Sequence, residues 1–340
     1  MHGGRALSQS WRDLIEAGDL NGLLRAVDGL CAARGWDELL DLADACDDAL
    51  ERGKQLWPIS AHVDYRLALE APGEYAAGVL TPEIGRFAHG PLTEVAASTH
   101  AWSELAPYVS DPVTASYVAQ ERVLRGEDLA ADERAHAELV DVPLVLEEWE
   151  PPYALATFRS NLVEVQEPWE PRAAWEELIP EAGEPIDDPE VTDALLELVA
   201  PWTSESNGAA RAAVTEGDAT AAIGAVAFGP VRLAPIGADE AFRHMAWAAA
   251  SGGAHGRRRG AALGRFVAWY TAALLSDLPW PSPGAAVGAG AARLRWYLWD
   301  EEGPEEGWVL RMAVEDPSEG WAAALGATDV LTDDDPGEKS

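Results

Sequence analysis

The stretch LRWYLWDEEGPEEGWVLRMAV, at residues 294–314, holds two runs of aromatic and aliphatic side chains separated by an acidic turn. Such runs favour β-strands, and the glycine and proline between them favour a reversal of the chain. The stretch therefore predicts a β-hairpin with strands over Leu294–Trp299 and Trp308–Val314. A further short strand is predicted over Val231–Ile236. With helices between these strands, residues 191–328 are predicted to form a smaller α+β region.

The rest of the chain predicts a mainly α fold. In the first part, apolar residues recur at three- and four-residue intervals, and glycines end the segments. Residues 5–140 are therefore predicted to form an N-terminal multi-helix bundle or an irregular α-solenoid, and both remain open because no fixed-period repeat is found. Short helices are also predicted near Arg172–Leu178 and from Asp316 to about Leu325.

Two acidic stretches interrupt this pattern. Residues 141–190 contain eight prolines, 14 acidic residues and two arginines. Because proline breaks long helices, this stretch is predicted to be an irregular connection. Residues 329–340 are predicted to be an acidic tail.

The composition limits the classes of protein to consider. The 340 residues include 59 acidic and 24 basic side chains, and the net charge of −35 argues against generic nucleic-acid binding. No leader-like apolar segment is found at the N-terminus, and the stretch near Phe266–Leu275 is about half the length of a membrane span. We therefore expect a cytoplasmic protein without membrane contact. Cys31 and Cys46 are predicted to be buried free thiols.

One segment is positively charged, in contrast to the rest of the chain. From Ala241 to Asp300 there are seven arginines and two acidic residues, which gives this window a net charge of +5. The densest run is SGGAHGRRRG, at residues 251–260. It is predicted to join two helices, so its glycines and a helix N-terminus could present backbone amides to an anion. The candidate binding residues are Gly252, Gly253, His255, Gly256, Arg257, Arg258 and Arg259.

Two functions remain open for this basic segment, residues 252–265. The first is a non-enzymatic interaction or regulatory protein that uses the segment to dock an acidic surface, either its own or a partner's. The second is an enzyme or sensor that binds a small phosphate-bearing anion at Gly252–Arg259. A packing role is an alternative to both, because small residues recur every four positions from Gly256 to Ala272 and form a narrow helix face.

The remaining motifs assign no catalytic residue, metal site or cofactor. Glu133 and His136 have the spacing of one di-iron ligand step, but the second step that such sites need is absent. Zinc-binding and nucleophile-elbow motifs are also absent. The glycine-rich run over residues 284–290 does not follow a predicted strand, which argues against a dinucleotide site. The sequence does not define the oligomeric state.

Three stretches together resemble an uncharacterised protein family from high-GC Gram-positive bacteria. They are QLWP at 55–58 with YRLALEAP at 65–72, AWAAASGGAHGRRR at 246–259, and AVEDP at 313–317. The resemblance spans most of the chain and implies a bacterial source. Because the family has no known activity, it implies no catalytic residues.

Overall fold

The computed structural model describes residues 4–81, 90–136, 140–166, 170–301 and 307–330, with side chains from Trp11 onward. The chain divides into two compact units. The first unit comprises Met1–Leu139 and Ala156–Glu164, and the second comprises Val140–Leu155 and Val165–Ser340. Residues 141–190, predicted to be an irregular connection, are thus divided between the two units.

The first unit is built from helices and one two-stranded sheet. The helices are α1 (Gly4–Ala17), α2 (Leu20–Ala33), α3 (Trp36–Asp48), a 3₁₀ turn (Ala49–Arg52), α4 (Trp57–Glu70), α5 (Gly73–Gly78), α6 (Leu92–Thr99), α7 (Trp102–Leu105) and α8 (Pro112–Leu124). Strands β1 (Ala156–Arg159) and β2 (Leu162–Val165) pair with each other. The N-terminal helices predicted from the apolar spacing are therefore present.

Local sequence explains where these helices begin and what they bury. The Asp19 side chain accepts a hydrogen bond from the backbone N–H of Gly22, and Asp111 accepts one from Thr114, so each carboxylate caps the start of its helix. Cys31 and Cys46 are free and buried in the core of this unit, as predicted. Burial raises the pKa of Cys31 to about 11 and that of Cys46 to about 12, which keeps both thiols protonated at neutral pH.

Asp64 on α4 is expected to make the stability of the first unit depend on pH. Burial, together with the nearby charges of Asp47 and Asp44, raises the pKa of its carboxyl from 3.8 to about 6. The folded state therefore holds this proton more tightly than the unfolded chain does. The stability that the proton provides is lost as the pH rises from about 3.8 to about 6.

Asp64→Asn removes the buried charge, so we expect it to raise the free energy of unfolding by about 1–3 kcal/mol at about pH 7.5 and to change it little at about pH 4. Urea unfolding at both pH values measures the difference. The exposed Asp41 on α3 supplies the matched control, Asp41→Asn, which should have no such pH-dependent effect. Loss of stability in Asp64→Asn at the higher pH would contradict the assignment.

The second unit contains a six-stranded antiparallel sheet. Its strand order is β3-β5-β6-β7-β8-β4. The strands are β3 (Glu176–Leu178), β4 (Ala209–Glu216), β5 (Val231–Ile236), β6 (Arg295–Glu301), β7 (Gly307–Asp316) and β8 (Trp321–Val330). The helices are α9 (Pro189–Glu197), α10 (Ala200–Ser204), α11 (Ala219–Val226), α12 (Ala238–Ala250), α13 (Ala261–Leu275) and α14 (Gly284–Arg293).

Helices pack on both faces of the sheet. Side chains from α9, α12, α13 and α14 form the larger apolar core with one face. Helix α11 packs on the opposite face, against β4, β7 and β8. The interior strand β8 is therefore covered on both faces.

The predicted mainly α fold is wrong, because the described residues form a six-stranded antiparallel sheet and a two-stranded sheet. The predicted α+β region does follow the N-terminal helices, but its sheet has six strands where three were predicted. The predicted hairpin is present as β6 and β7, and the predicted strand over Val231–Ile236 is β5. The sheet also contains β4, which the sequence did not predict. A helix was predicted near Arg172–Leu178, where β3 lies, and another was predicted to end near Leu325, where β8 lies.

The composition of β8 explains the largest of these errors. Its sequence, WAAALGATDV, is rich in alanine, which favours helices when local preference decides. In the structure Ala322, Ala323 and Ala324 are buried in succession, because each face of the strand is covered. A strand that is buried on both faces shows no alternation of apolar and polar residues, so its pattern cannot be distinguished from that of a buried helix.

Within the part of the chain that the structure describes, none of the helices combines the length and the apolar character of a membrane span.

Candidate functional site

The predicted binding residues lie on one loop, which we call the basic loop (residues 251–260), between α12 and α13. Helix α13 begins at Ala261, directly after Gly260, which adopts a positive φ of 96°. Gly253 has a φ of 73°, a conformation that favours glycine. A Cβ atom at Gly252 would lie 2.3 Å from the carbonyl carbon of Arg257, so the loop folds closely onto itself.

Several backbone amides of the basic loop donate hydrogen bonds within the second unit. The N–H of Ala254 donates to Oδ2 of Asp329 at 2.6 Å, and the N–H of His255 donates to the Ser206 hydroxyl at 3.1 Å. The N–H of Gly253 donates to the Ser251 hydroxyl at 3.0 Å. Asp329 is fully buried on β8, so the carboxylate that holds the loop comes from the sheet.

The side chains of the basic loop differ in exposure. Arg258 is buried. Arg259 is partly buried, and its Nη1 lies 3.2 Å from Oε1 of Glu197 on α9. His255 and Arg257 are exposed. Within the described part of the chain Arg257 has no carboxylate partner.

The last arginine of the predicted basic segment is buried. Arg265 on α13 and Glu150 both have side chains with no exposed surface, and they form a two-point ion pair. The Nε and Nη2 groups of Arg265 donate to the two carboxylate oxygens at 2.8 and 2.6 Å. Nη1 and Nη2 also donate to the carbonyl oxygens of Pro143 and Val145 at 2.8 and 2.9 Å. The guanidinium is therefore fully used within the unit.

Glu150 is surrounded by further donors. The Trp269 indole N–H donates to Oε2 at 3.0 Å, and the Tyr153 hydroxyl donates to the same oxygen at 2.5 Å. Burial alone would raise the pKa of Glu150, but the hydrogen bonds and charge of Arg265 outweigh it and hold the pKa below its usual value. The carboxylate stays ionised, which preserves the pair.

The acidic stretch near Glu150 also supplies an aromatic contact. The Trp149 ring lies 4.9 Å from that of Phe242 and 5.0 Å from that of Trp269, measured between centroids. Its indole N–H donates to the carbonyl oxygen of Gly284 at 3.1 Å. Trp149 thus attaches this part of the acidic stretch to α12, α13 and α14.

The small-residue spacing predicted a packing face, and α13 has one. A Cβ atom at Gly264 would lie 2.3 Å from the carbonyl oxygen of Ala246 on α12. Ala268 and Ala272 continue this face and are fully buried. Gly256 and Gly260 precede the helix and belong to the basic loop.

The structure thus brings the predicted residues together but adds partners that the sequence did not identify. Asp329, Ser206, Glu197 and Glu150 lie between 49 and 115 residues away from the groups they bind. No local motif marks any of them. Among the described residues, no group of three or more histidine, cysteine or acidic side chains could hold a metal ion.

Fold and site define an α+β protein whose basic loop is bound by its own carboxylates. The chain belongs to the family of unknown function DUF6183, whose model matches residues 21–331. This match confirms the predicted resemblance to an uncharacterised family. No curated protein and no solved structure matches the chain.

Proposed function

We propose that this chain is a non-enzymatic interaction or regulatory protein of the bacterial cytoplasm, which docks an acidic segment of a partner protein against Arg257. The proposal rests on a difference in ion pairing among the arginines of the basic segment. Arg259 and Arg265 pair with carboxylates of the same unit, whereas Arg257 is exposed without such a partner among the described residues. In a chain with 59 acidic residues, this arginine remains available to a carboxylate from outside.

The fixed backbone of the loop supports the same proposal. Hydrogen bonds from Ala254 and His255 hold the residues that precede Arg257, and the N–H of Arg259 donates to the carbonyl oxygen of Ala250 at 2.8 Å after it. A loop that is already ordered loses little conformational entropy when a partner binds. Arg257 is therefore presented at a defined position.

The alternative, a small phosphate-bearing anion at Gly252–Arg259, has less support. An anion site at a glycine-rich loop needs backbone N–H groups that point at the ligand. The amides of Gly253, Ala254 and His255 already donate to Ser251, Asp329 and Ser206.

Fluorescence anisotropy with a labelled polyglutamate peptide at physiological salt tests the proposal. We expect saturable binding to the parent protein and loss of most of that binding in Arg257→Glu. Arg25 is also exposed, and Arg25→Glu changes the net charge by the same amount in the other unit. This control should bind like the parent.

Two results would contradict the proposal. One is the absence of binding by the parent protein, and the other is equal loss in both variants, which would reflect net charge alone. Displacement of the peptide by inorganic phosphate at low concentration would instead favour the anion site.

A further inference from the structure

Strand β4 lies at an edge of the six-stranded sheet, and β8 is the described strand that pairs with it over its whole length. In an antiparallel sheet, the N–H and C=O groups of successive residues point alternately toward the two sides of a strand. The N–H of Glu216 donates to the carbonyl oxygen of Glu184 at 2.9 Å, and the N–H of Ile186 donates to that of Val214 at 2.9 Å. The even-numbered residues of β4 therefore direct their backbone groups away from β8.

The segment over residues 184–186 covers only the second half of this outer edge. It runs antiparallel to β4, with a bridge between Pro185 and Thr215, and the chain then continues into α9. The outward N–H and C=O groups of Ala210 and Ala212 have no hydrogen-bond partner among the described residues. Because unpaired backbone groups are rarely buried, these groups are open to water and to an added strand.

Arg211, between these two alanines, gives the open edge a positive charge. Its side chain is exposed, and its guanidinium carbon lies 4.1 Å from the centroid of the Phe228 ring. Glu301 lines the same hollow, but it is paired with Arg311 at 3.5 Å. Arg211 itself has no ion pair among the described residues. It is therefore available to a carboxylate from outside.

The open edge adjoins the basic loop. Ser206, three residues before the start of β4, accepts the hydrogen bond from the N–H of His255. A strand that runs antiparallel to β4 passes Ala212 first and Ala210 next. It is thereby directed toward the loop that carries Arg257.

We propose that the acidic segment of the partner protein binds in extended form and adds a strand to the open edge of β4. This inference rests on the proposed function for the acidity of the partner, and it adds how the partner is held. The added strand runs antiparallel to β4, as residues 184–186 do, and its backbone exchanges hydrogen bonds with Ala210 and Ala212. An acidic side chain opposite Arg211 pairs with the guanidinium.

Fluorescence anisotropy with a labelled peptide of alternating valine and glutamate tests the strand addition. A glutamate opposite Arg211 places valines opposite Ala210 and Ala212, so the valine N–H groups donate to the protein and the glutamate N–H groups point away from it. We expect N-methylation of the valine amides to weaken binding by about tenfold or more, and N-methylation of the glutamate amides to change it less than about twofold. The two methylated peptides have the same composition and charge.

Variants of β4 test the same contact from the side of the protein. Ala212→Pro removes an outward N–H at a position of the edge where a sheet tolerates proline, and the unmethylated peptide should bind about fivefold more weakly or worse. Ala212→Ser keeps the N–H and should bind like the parent. Arg211→Glu should lose most of the binding, whereas Arg25→Glu should not. The pair of methylated peptides needs no variant, so the test holds even where Ala212→Pro fails to fold.

Equal effects of the two N-methylated peptides would overturn the strand addition. Loss of binding in Arg257→Glu without loss in Ala212→Pro or Arg211→Glu would overturn it alone and leave the proposed function in place. Absence of binding by the parent protein to this peptide and to polyglutamate would overturn both. Self-association of the parent protein that Ala212→Pro abolishes would assign the edge to a second copy of the chain, and would overturn the acidic partner.

Discussion

Replacing Arg265 by methionine is expected to lower the free energy of unfolding by about 3–5 kcal/mol, the largest effect of any single change considered for this protein. The substitution removes the guanidinium that binds both oxygens of Glu150 and the carbonyl oxygens of Pro143 and Val145. It leaves a fully buried carboxylate without its positive partner. Chemical denaturation followed by tryptophan fluorescence measures the loss.

A double-mutant cycle separates the ion pair from its packing. Glu150→Leu alone should also destabilise the protein, whereas Glu150→Leu combined with Arg265→Met should cost much less than the sum of the two. Arg257→Met supplies the control, because Arg257 is exposed, and it should change stability by less than about 0.5 kcal/mol. Additive losses from the two buried changes would contradict the pairing.

The second large effect is expected from Gly253→Ala, at about 3 kcal/mol. A Cβ atom at this position would lie 2.0 Å from Oδ2 of Asp329, which is the oxygen that accepts the hydrogen bond from Ala254. The substitution therefore combines the cost of a positive φ with loss of the contact that holds the basic loop to β8. Denaturant unfolding reports the sum of these costs.

Gly320 provides a control with nearly the same backbone conformation. Its φ is 74°, compared with 73° at Gly253, but no atom lies within 4 Å of the position that a Cβ would occupy. Gly320→Ala should therefore cost about 1 kcal/mol, from backbone strain alone. Equal losses in the two variants would show that Asp329 contributes nothing to the position of the loop.

The sequence predicts a strand where the residues of that strand themselves favour β-structure, and it fails where they do not. The strands β6 and β7 are rich in tryptophan, tyrosine and branched residues on either side of a glycine–proline turn, and the hairpin was predicted from them. The strands β4 and β8 are rich in alanine and contain fewer such residues. Their conformation depends on pairing with each other over eight residues and on the helices that cover them, and local preference does not reflect either contact.

The candidate site was also predicted only in part. The basic loop was predicted from consecutive arginines and glycines, which are adjacent in sequence and remain adjacent in space. Its partners were not predicted: Asp329 belongs to the stretch predicted to be an acidic tail, and Glu150 belongs to the stretch predicted to be an irregular connection. In a chain with 59 acidic residues, charge alone does not indicate which carboxylates become buried.

These contacts change the interpretation of the basic segment. Two of its four arginines, Arg259 and Arg265, pair with carboxylates of the same unit, and Asp329 binds the backbone of the loop. What remains for a partner is a small surface around one arginine. Recognition by such a surface depends on a carboxylate at a defined position, and less on net charge.

Labelling of the native protein with phenylglyoxal, followed by peptide mass spectrometry, tests this claim most directly because the reagent modifies accessible guanidinium groups. Arg257 is expected to be modified rapidly, and the buried Arg258 and Arg265 only after unfolding. Arg259 should react at an intermediate rate because its guanidinium is partly buried beside Glu197. Equal modification of Arg257, Arg258 and Arg265 in the folded protein would contradict the account.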